Sequence, residues 1–201
     1  MRTAPFRPLA SALIAALLLA GCGTTEAVQT STKPSFYDNL AKGGTVDAAA
    51  AAAMISDYRR GKGLPAVEID PVLMAVAERQ AKAMATADKL SHDIGGRSFM
   101  ARLKSAGFDG LRAAENVGAG YHTLAEAFSG WRDSPSHNRN MLLAGATRMG
   151  IAAAAAPNSK YKVFWAFVIG VPNPTVSIPP ATDAPAPGET TTTLNGLPLP
   201  R

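Results

Sequence analysis

The chain has 201 residues, 47% of them apolar, 17% charged and 6% aromatic, with a formal net charge of +5. That length suits one ordinary domain with extensions, and the composition excludes a wholly disordered chain and a multi-span membrane protein. Residues 1–21 hold Arg2 and Arg7 and no acid, so their removal leaves 18 basic against 15 acidic side chains, a balance of +3. The basic residues are scattered, with no arginine-rich run and no aromatic interleaving, so nucleic acid is not an expected partner.

Arg2 and Arg7 precede an apolar run from Leu9 to Ala20, a length that suits the hydrophobic region of a secretory signal and is short for a membrane span. The run ends in Leu19-Ala20-Gly21-Cys22, which resembles the bacterial lipobox, so residues 1–21 read as a signal peptide and Cys22 as the lipidated first residue of the mature protein. Acyl chains on Cys22 anchor a protein to a membrane without spanning it. Gly23, rather than Asp, follows, and by resemblance to bacterial sorting rules this favours the outer membrane in an organism that has one. Cys22 is the sole cysteine, so no internal disulfide and no cysteine nucleophile is available to the exported domain. Residues 22–44 read as a flexible polar tether and residues 45–172 as the domain.

Asp47 to Arg60 is alanine-rich and closes on Gly61-Lys62-Gly63, a helix with a glycine stop. Asp70-Pro71 supplies an N-cap and a proline at the first position of a second helix, running to about Asp88. Its stripe of Leu73, Val76, Ala77, Ala81, Met84 and Ala87 marks a core-facing side. Ser98 to Ala106 is a short third helix stopped by Gly107. Thr123-Leu124-Ala125-Glu126 has capping-box spacing, which assigns Glu126 a structural task. That fourth helix continues past Trp131 until Pro135 forces a new start, with Ser134 as the cap of a short fifth helix.

A hairpin ends the domain: a strand from Met149 to Ala156, a turn at 157–160, and a strand from Tyr161 to Gly170 that is apolar on both faces. A strand covered on both sides requires helices above and below, so the expected fold is an α+β three-layer α-β-α sandwich with a small antiparallel sheet. Residues 173–201 form a Pro/Thr-rich segment, read as a disordered tail; eight of the fifteen prolines lie within 171–201.

Three polar clusters lie between these elements: Ser91-His92-Asp93, Glu115-Asn116-Val117-Gly118, and Trp131, Ser134, His137 and Asn140 at three-residue intervals. In this order, with the Asp70-Pro71 opening and the closing strands, residues 50–171 resemble the CAP superfamily, the SCP-like or cysteine-rich secretory protein domain, in its disulfide-free bacterial form. The resemblance implies an α-β-α sandwich with a cleft where two histidines and one or two acids meet. Residue by residue it carries over to His92, Glu115 and His137. Animal members place a second Glu three residues after the Trp, where this chain has Ser134. Asp133 and Glu126 are the nearby acids open to replace it.

Residue chemistry supports a site here as well. His137 would be the third residue of a helix, where the positive helix end disfavours its protonation. A neutral imidazole can ligate zinc or take a proton, and Glu115 can complete the coordination or fix a tautomer. Two His and one Glu would leave a position on Zn or another divalent metal for water or ligand. Asn116, Asn140 and Trp131 read as structural support, and His122 as an exposed residue before a helix cap. No phosphate loop, His-Glu-x-x-His segment, Gly-x-Ser-x-Gly elbow or other sign of an organic cofactor is present.

The favoured expectation is an exported, lipid-anchored envelope protein whose His92, Glu115 and His137 cleft binds a divalent metal and a small lipid, a peptide or a cell-wall ligand. One alternative is a metal-assisted hydrolase of peptide or cell-wall bonds, with Glu115 or His137 activating water. The other is a non-catalytic interaction protein of the envelope whose cleft residues chiefly stabilise the fold.

Overall fold

The computed structural model describes residues 35–174. The signal segment, Cys22 and the expected tail from residue 175 onward lie outside the described residues.

Helix α1 spans Ala48–Arg60, and the Asp47 carboxylate accepts from the Ala50 amide at 2.9 Å, as its capping role requires. Strand β1 is only Glu68–Ile69. Helix α2, Pro71–Ala87, starts where Asp70 accepts from the amides of Val72 and Leu73 at 2.8 and 3.0 Å, and it stops at Asp88 in the left-handed conformation. Helix α3 is Phe99–Ser105, capped by Ser98, and strand β2 is Arg112–Ala119. Helix α4, Leu124–Asp133, opens with the expected capping box, and α5, Pro135–Met141, follows directly. Strands β3, Arg148–Ala156, and β4, Lys162–Val171, close the domain.

The sheet order is β1-β3-β4-β2. It is antiparallel except at its edge, where β1 runs parallel to β3 over Glu68 and Ile69. Alternation along the central strand β4 builds the three layers: Val163, Trp165, Phe167 and Ile169 enter a core with α1, α4 and α5, whereas Phe164, Ala166 and Val168 enter a second core with α2 and α3. All seven are fully buried. Helix α2 lies unusually close to β3, because a Cβ on Gly150 would come within 2.2 Å of the Leu73 carbonyl carbon. Only glycine permits that approach.

Two expectations need correction. The flexible tether expected over residues 22–44 ends earlier than residue 44: residues 35–37 and 40–42 form 3-10 turns, Leu40 is buried in the core, and its amide donates to the His122 carbonyl at 2.8 Å. The cluster around Glu115, expected to lie between the regular elements, is itself strand β2, paired with β4 from Arg112 to Ala119. Glutamate and asparagine are poor strand formers, which hid it.

One buried cation organises the segment after α5. Arg59 is fully buried, and its guanidinium donates to the carbonyls of Pro65 (2.9 Å), Met141 (2.8 Å), Leu143 (3.1 Å) and Ala146 (2.7 Å). Burial pushes its pKa down, while the four acceptors engage all three of its nitrogens and pin the C-terminal end of α5 to α1.

Candidate functional site

Strand β2 carries Glu115 into the interior, where its side chain is 1% exposed. Oε1 accepts from His92 Nδ1 at 2.7 Å. A carboxylate offers no proton, so Nδ1 carries the hydrogen and the neutral ring keeps its free lone pair on Nε2. The His92 side chain is half exposed. The segment that bears it is tied down from α2, since fully buried Gln80 donates to the Ser91 carbonyl at 2.6 Å, and the Asp93 amide donates to Ser91 Oγ at 3.0 Å.

Arg102, from α3, completes this cluster. Its Nη2 donates to Glu115 Oε1 at 2.9 Å, to Oε2 at 2.8 Å and to the His92 carbonyl at 3.0 Å. The guanidinium stacks on Phe99 with its carbon 5.4 Å from the ring centroid, and Nε and Nη1 are buried with no polar partner among the described residues. Arg102 was not among the residues singled out from the sequence. The readable signal was a basic residue within the apolar stripe of α3, flanked by Phe99, Leu103 and Ala106 at helical spacing.

His137 reaches the site on α5, which two amides fasten to β2. Asn116 Nδ2 donates to the His137 carbonyl at 3.0 Å, while Asn140 Nδ2 donates to the Glu115 carbonyl at 3.1 Å and to Asn116 Oδ1 at 2.9 Å. From α1, the Tyr58 hydroxyl donates to Asn138 Oδ1 at 2.9 Å. The two histidines are therefore held from different layers of the same framework.

Their proton affinities are driven apart. The hydrogen bond to Glu115 raises the pKa of His92 against the opposing effect of burial. Burial lowers that of His137, and the positive charge of His92 lowers it further. The cause of the depression in His137 is thus burial and a neighbouring imidazolium. Ser134 does occupy the N-cap position of α5, but among the described residues its side chain caps no amide, and its Oγ instead lies 3.3 Å from Ser136 Oγ.

Neither Asp133 nor Glu126 joins the cluster. Asp133 pairs with its exposed neighbour Arg132 at 2.8 Å, and Glu126 accepts from the amides of His122 and Thr123 at 2.6 and 3.3 Å. His122 is partly buried rather than exposed. Trp131 is a core residue, edge-on to Trp165 and tilted against Phe167.

Among the described residues, no three His, Cys, Asp or Glu side chains converge to enclose a metal. The nitrogen donors of this cluster are the two imidazoles, and the carboxylate lies behind His92 with its oxygens taken up by His92 and Arg102. That is a carboxylate–histidine arrangement in which the acid orients the imidazole.

The model of the cysteine-rich secretory protein family, CAP, matches residues 52–169. This chain belongs to the CAP family. An extracellular protein containing an SCP domain from Bacillus anthracis superposes on it with a TM-score of 0.53 at 23% identity, over 60% of this chain and 38% of that one. An outer surface protein from Borrelia burgdorferi gives a TM-score of 0.56 at 19% identity, over 65% of this chain and 99% of that one. The CAP domain described here therefore spans well under half of the Bacillus protein. At these identities the likeness establishes the shared fold. A search of curated proteins returned no match.

Proposed function

We propose that this CAP protein is an exported envelope protein, anchored through lipidated Cys22, whose cleft binds a divalent metal through His92 and His137. The observation that carries this reading is the 2.7 Å bond from His92 Nδ1 to Glu115, which leaves Nε2 as the available lone pair beside an imidazole that burial keeps neutral. Bound zinc would supply a Lewis-acidic centre with positions open to water or ligand. His92 and His137 would hold it from two sides: Glu115 fixes the tautomer of His92, and Asn116 and Asn140 hold the helix that bears His137.

A lipid-like ligand has a separate place to bind. The 3-10 turn at 35–37, α1 and α4 enclose an apolar groove of about 400 Å³ that includes Phe36, Met54, Ala125 and Phe128. Its lining suits a hydrocarbon chain. The extracellular and outer-surface descriptions of the two structural relatives agree with an envelope location.

Calorimetric titration with zinc tests the central part. The wild type is expected to give a saturable isotherm, and the His92→Ala, His137→Ala double variant none. Indistinguishable isotherms from two folded proteins would remove the metal from the account.

The opposite pKa directions of the two histidines favour one second reading, hydrolysis, because one ring keeps a proton at a pH where the other accepts one. Incubation with peptidoglycan fragments and peptide libraries distinguishes it from binding. Cleavage products that disappear in Glu115→Gln would establish the hydrolase.

A further inference from the structure

Helices α2 and α3 flank a cleft of about 580 Å³, within the range of roughly 300–1,000 Å³ common for small-molecule sites. Pro71, Ala75 and Arg79 reach it from α2 at helical spacing, while Arg97, Ser105 and Ala106 reach it from the two ends of α3. It shares no lining residue with the apolar groove between α1 and α4, and neither His92, Glu115 nor His137 lines it. No Asp or Glu is among its lining residues.

Its two arginines are exposed, and among the described residues neither guanidinium has a hydrogen-bond or ion-pair partner. Other arginines at the surface of the domain do find acceptors: Arg112 donates to the Ala144 carbonyl at 2.9 Å, and Arg132 to Asp133 at 2.8 Å. The acids of α2 are engaged elsewhere. Asp70 caps the helix and pairs with Arg148 at 3.2 Å, and Glu78 lines a different depression beside Lys82. A concave surface lined by charge of one sign concentrates counter-ions of the other. Ser105 Oγ donates to the Arg102 carbonyl at 3.0 Å, which leaves the two guanidiniums as the side-chain donors of the cleft.

We propose that this cleft binds a phosphate monoester through Arg79 and Arg97. A guanidinium fork matches the oxygens of either a carboxylate or a phosphate. Two forks from separate elements, with no acid between them, match a dianion better than a single carboxylate, and a phosphate monoester carries about −1.5 to −2 charges at pH 7. The apolar walls at Pro71, Ala75 and Ala106 leave room for the organic part of the ester. This site is separate from the histidine cluster and needs no metal.

Two probes distinguish the sources of such a group. Glycerol 3-phosphate presents it free in solution, and phosphatidylcholine vesicles containing phosphatidic acid present it as a lipid headgroup. Calorimetry on the full chain, at low ionic strength where surface charges are least screened, reads the first. Co-sedimentation in excess over vesicles of phosphatidylcholine alone reads the second. Arg79→Gln and Arg97→Gln are each expected to weaken binding roughly fivefold or more by removing charge-assisted bonds, and the double variant to lose it. Both side chains are exposed and unpartnered, so these variants are expected to keep the wild-type circular dichroism spectrum. Lys160→Gln removes the same charge in the β3–β4 turn, which meets the opposite end of α2, and is expected to stay within about twofold of the wild type.

Saturable binding of glycerol 3-phosphate that depends on both arginines makes the ligand a soluble phosphate. The same dependence confined to the phosphatidic acid vesicles makes it a headgroup. Binding of neither probe overturns the proposal, as does a loss in Lys160→Gln equal to that in the arginine variants. Acetate bound as tightly as glycerol 3-phosphate overturns the assignment to phosphate.

Discussion

Asn140 donates its side-chain amide to Asn116 Oδ1 at 2.9 Å, joining a short helix to a buried strand. Asn116 is fully buried and Asn140 is half buried, so this bond lies where water competes poorly. Through it the backbone of His137 and the backbone of Glu115 share one support. Replacing Asn140 by Ala leaves the Glu115 carbonyl and Asn116 Oδ1 without their donor. The expected cost is about 1–3 kcal/mol in urea unfolding, with a weaker zinc response as α5 shifts. A loss below about 0.5 kcal/mol, within the range of ordinary surface substitutions, would show that the amide pair does not hold the site.

Gly150 sets the spacing of α2 on the sheet. An added methyl group there would meet the Leu73 backbone, which cannot rotate away as a side chain could. Gly150→Ala is therefore expected to destabilise the domain by roughly 1–3 kcal/mol, at the level of core overpacking. The check is a shift of the chemical denaturation midpoint with little change in its slope. A neutral result would mean that α2 can retreat from β3 at no cost.

Arg59→Ala should be more damaging. It strips hydrogen bonds from four carbonyls and opens a cavity beneath α1. The expected loss is about 3 kcal/mol or more, as for other broken buried polar networks. Arg59→Lys is expected to recover only part of it, since one ammonium cannot follow the planar fork. Equal stability of Lys and Arg at this position would contradict the proposed stapling role.

The two histidines predict opposite pH dependences. His92 has a raised pKa in the folded state, so its contribution to stability is complete below the ordinary value of 6.5 and is lost as pH rises through the folded value. His137 has a lowered pKa, so its contribution is present above 6.5 and is lost as pH falls through its folded value. The destabilisation caused by His92→Gln should therefore be larger at pH 5.5 than at pH 8, and that caused by His137→Gln smaller. Denaturant unfolding of both variants across this range checks the signs. The same sign for both would contradict the environments described here.

Much of the fold was legible because its signals are local. Asp47, Asp70, Ser98 and Thr123 announce helix starts, and the double-faced apolar alternation of β4 implies a layer on each side. Strand β2 was not legible, since its identity depends on pairing with a segment about fifty residues away, and its Glu115 and Asn116 disfavour strands on their own. Leu40 was hidden for a related reason: the short apolar groups Phe36-Tyr37 and Leu40-Ala41 are too few to set up a periodicity that would reveal its burial. At the site, His92, Glu115 and His137 were singled out by the resemblance to the CAP superfamily, with residue chemistry in support. The part played by Arg102 could not, because a guanidinium shared between a carboxylate and a carbonyl is a relation between three separate segments.

The proposed metal site requires His92 and His137 to act together as one binding site. Imidazole nitrogen resonances, assigned by substitution and followed through a zinc titration, report on this directly. The expected result is that His92 Nε2 and one nitrogen of His137 shift together and saturate at one equivalent, while His122 stays in place. Independent saturation of the two rings, or a response confined to His122, would contradict it.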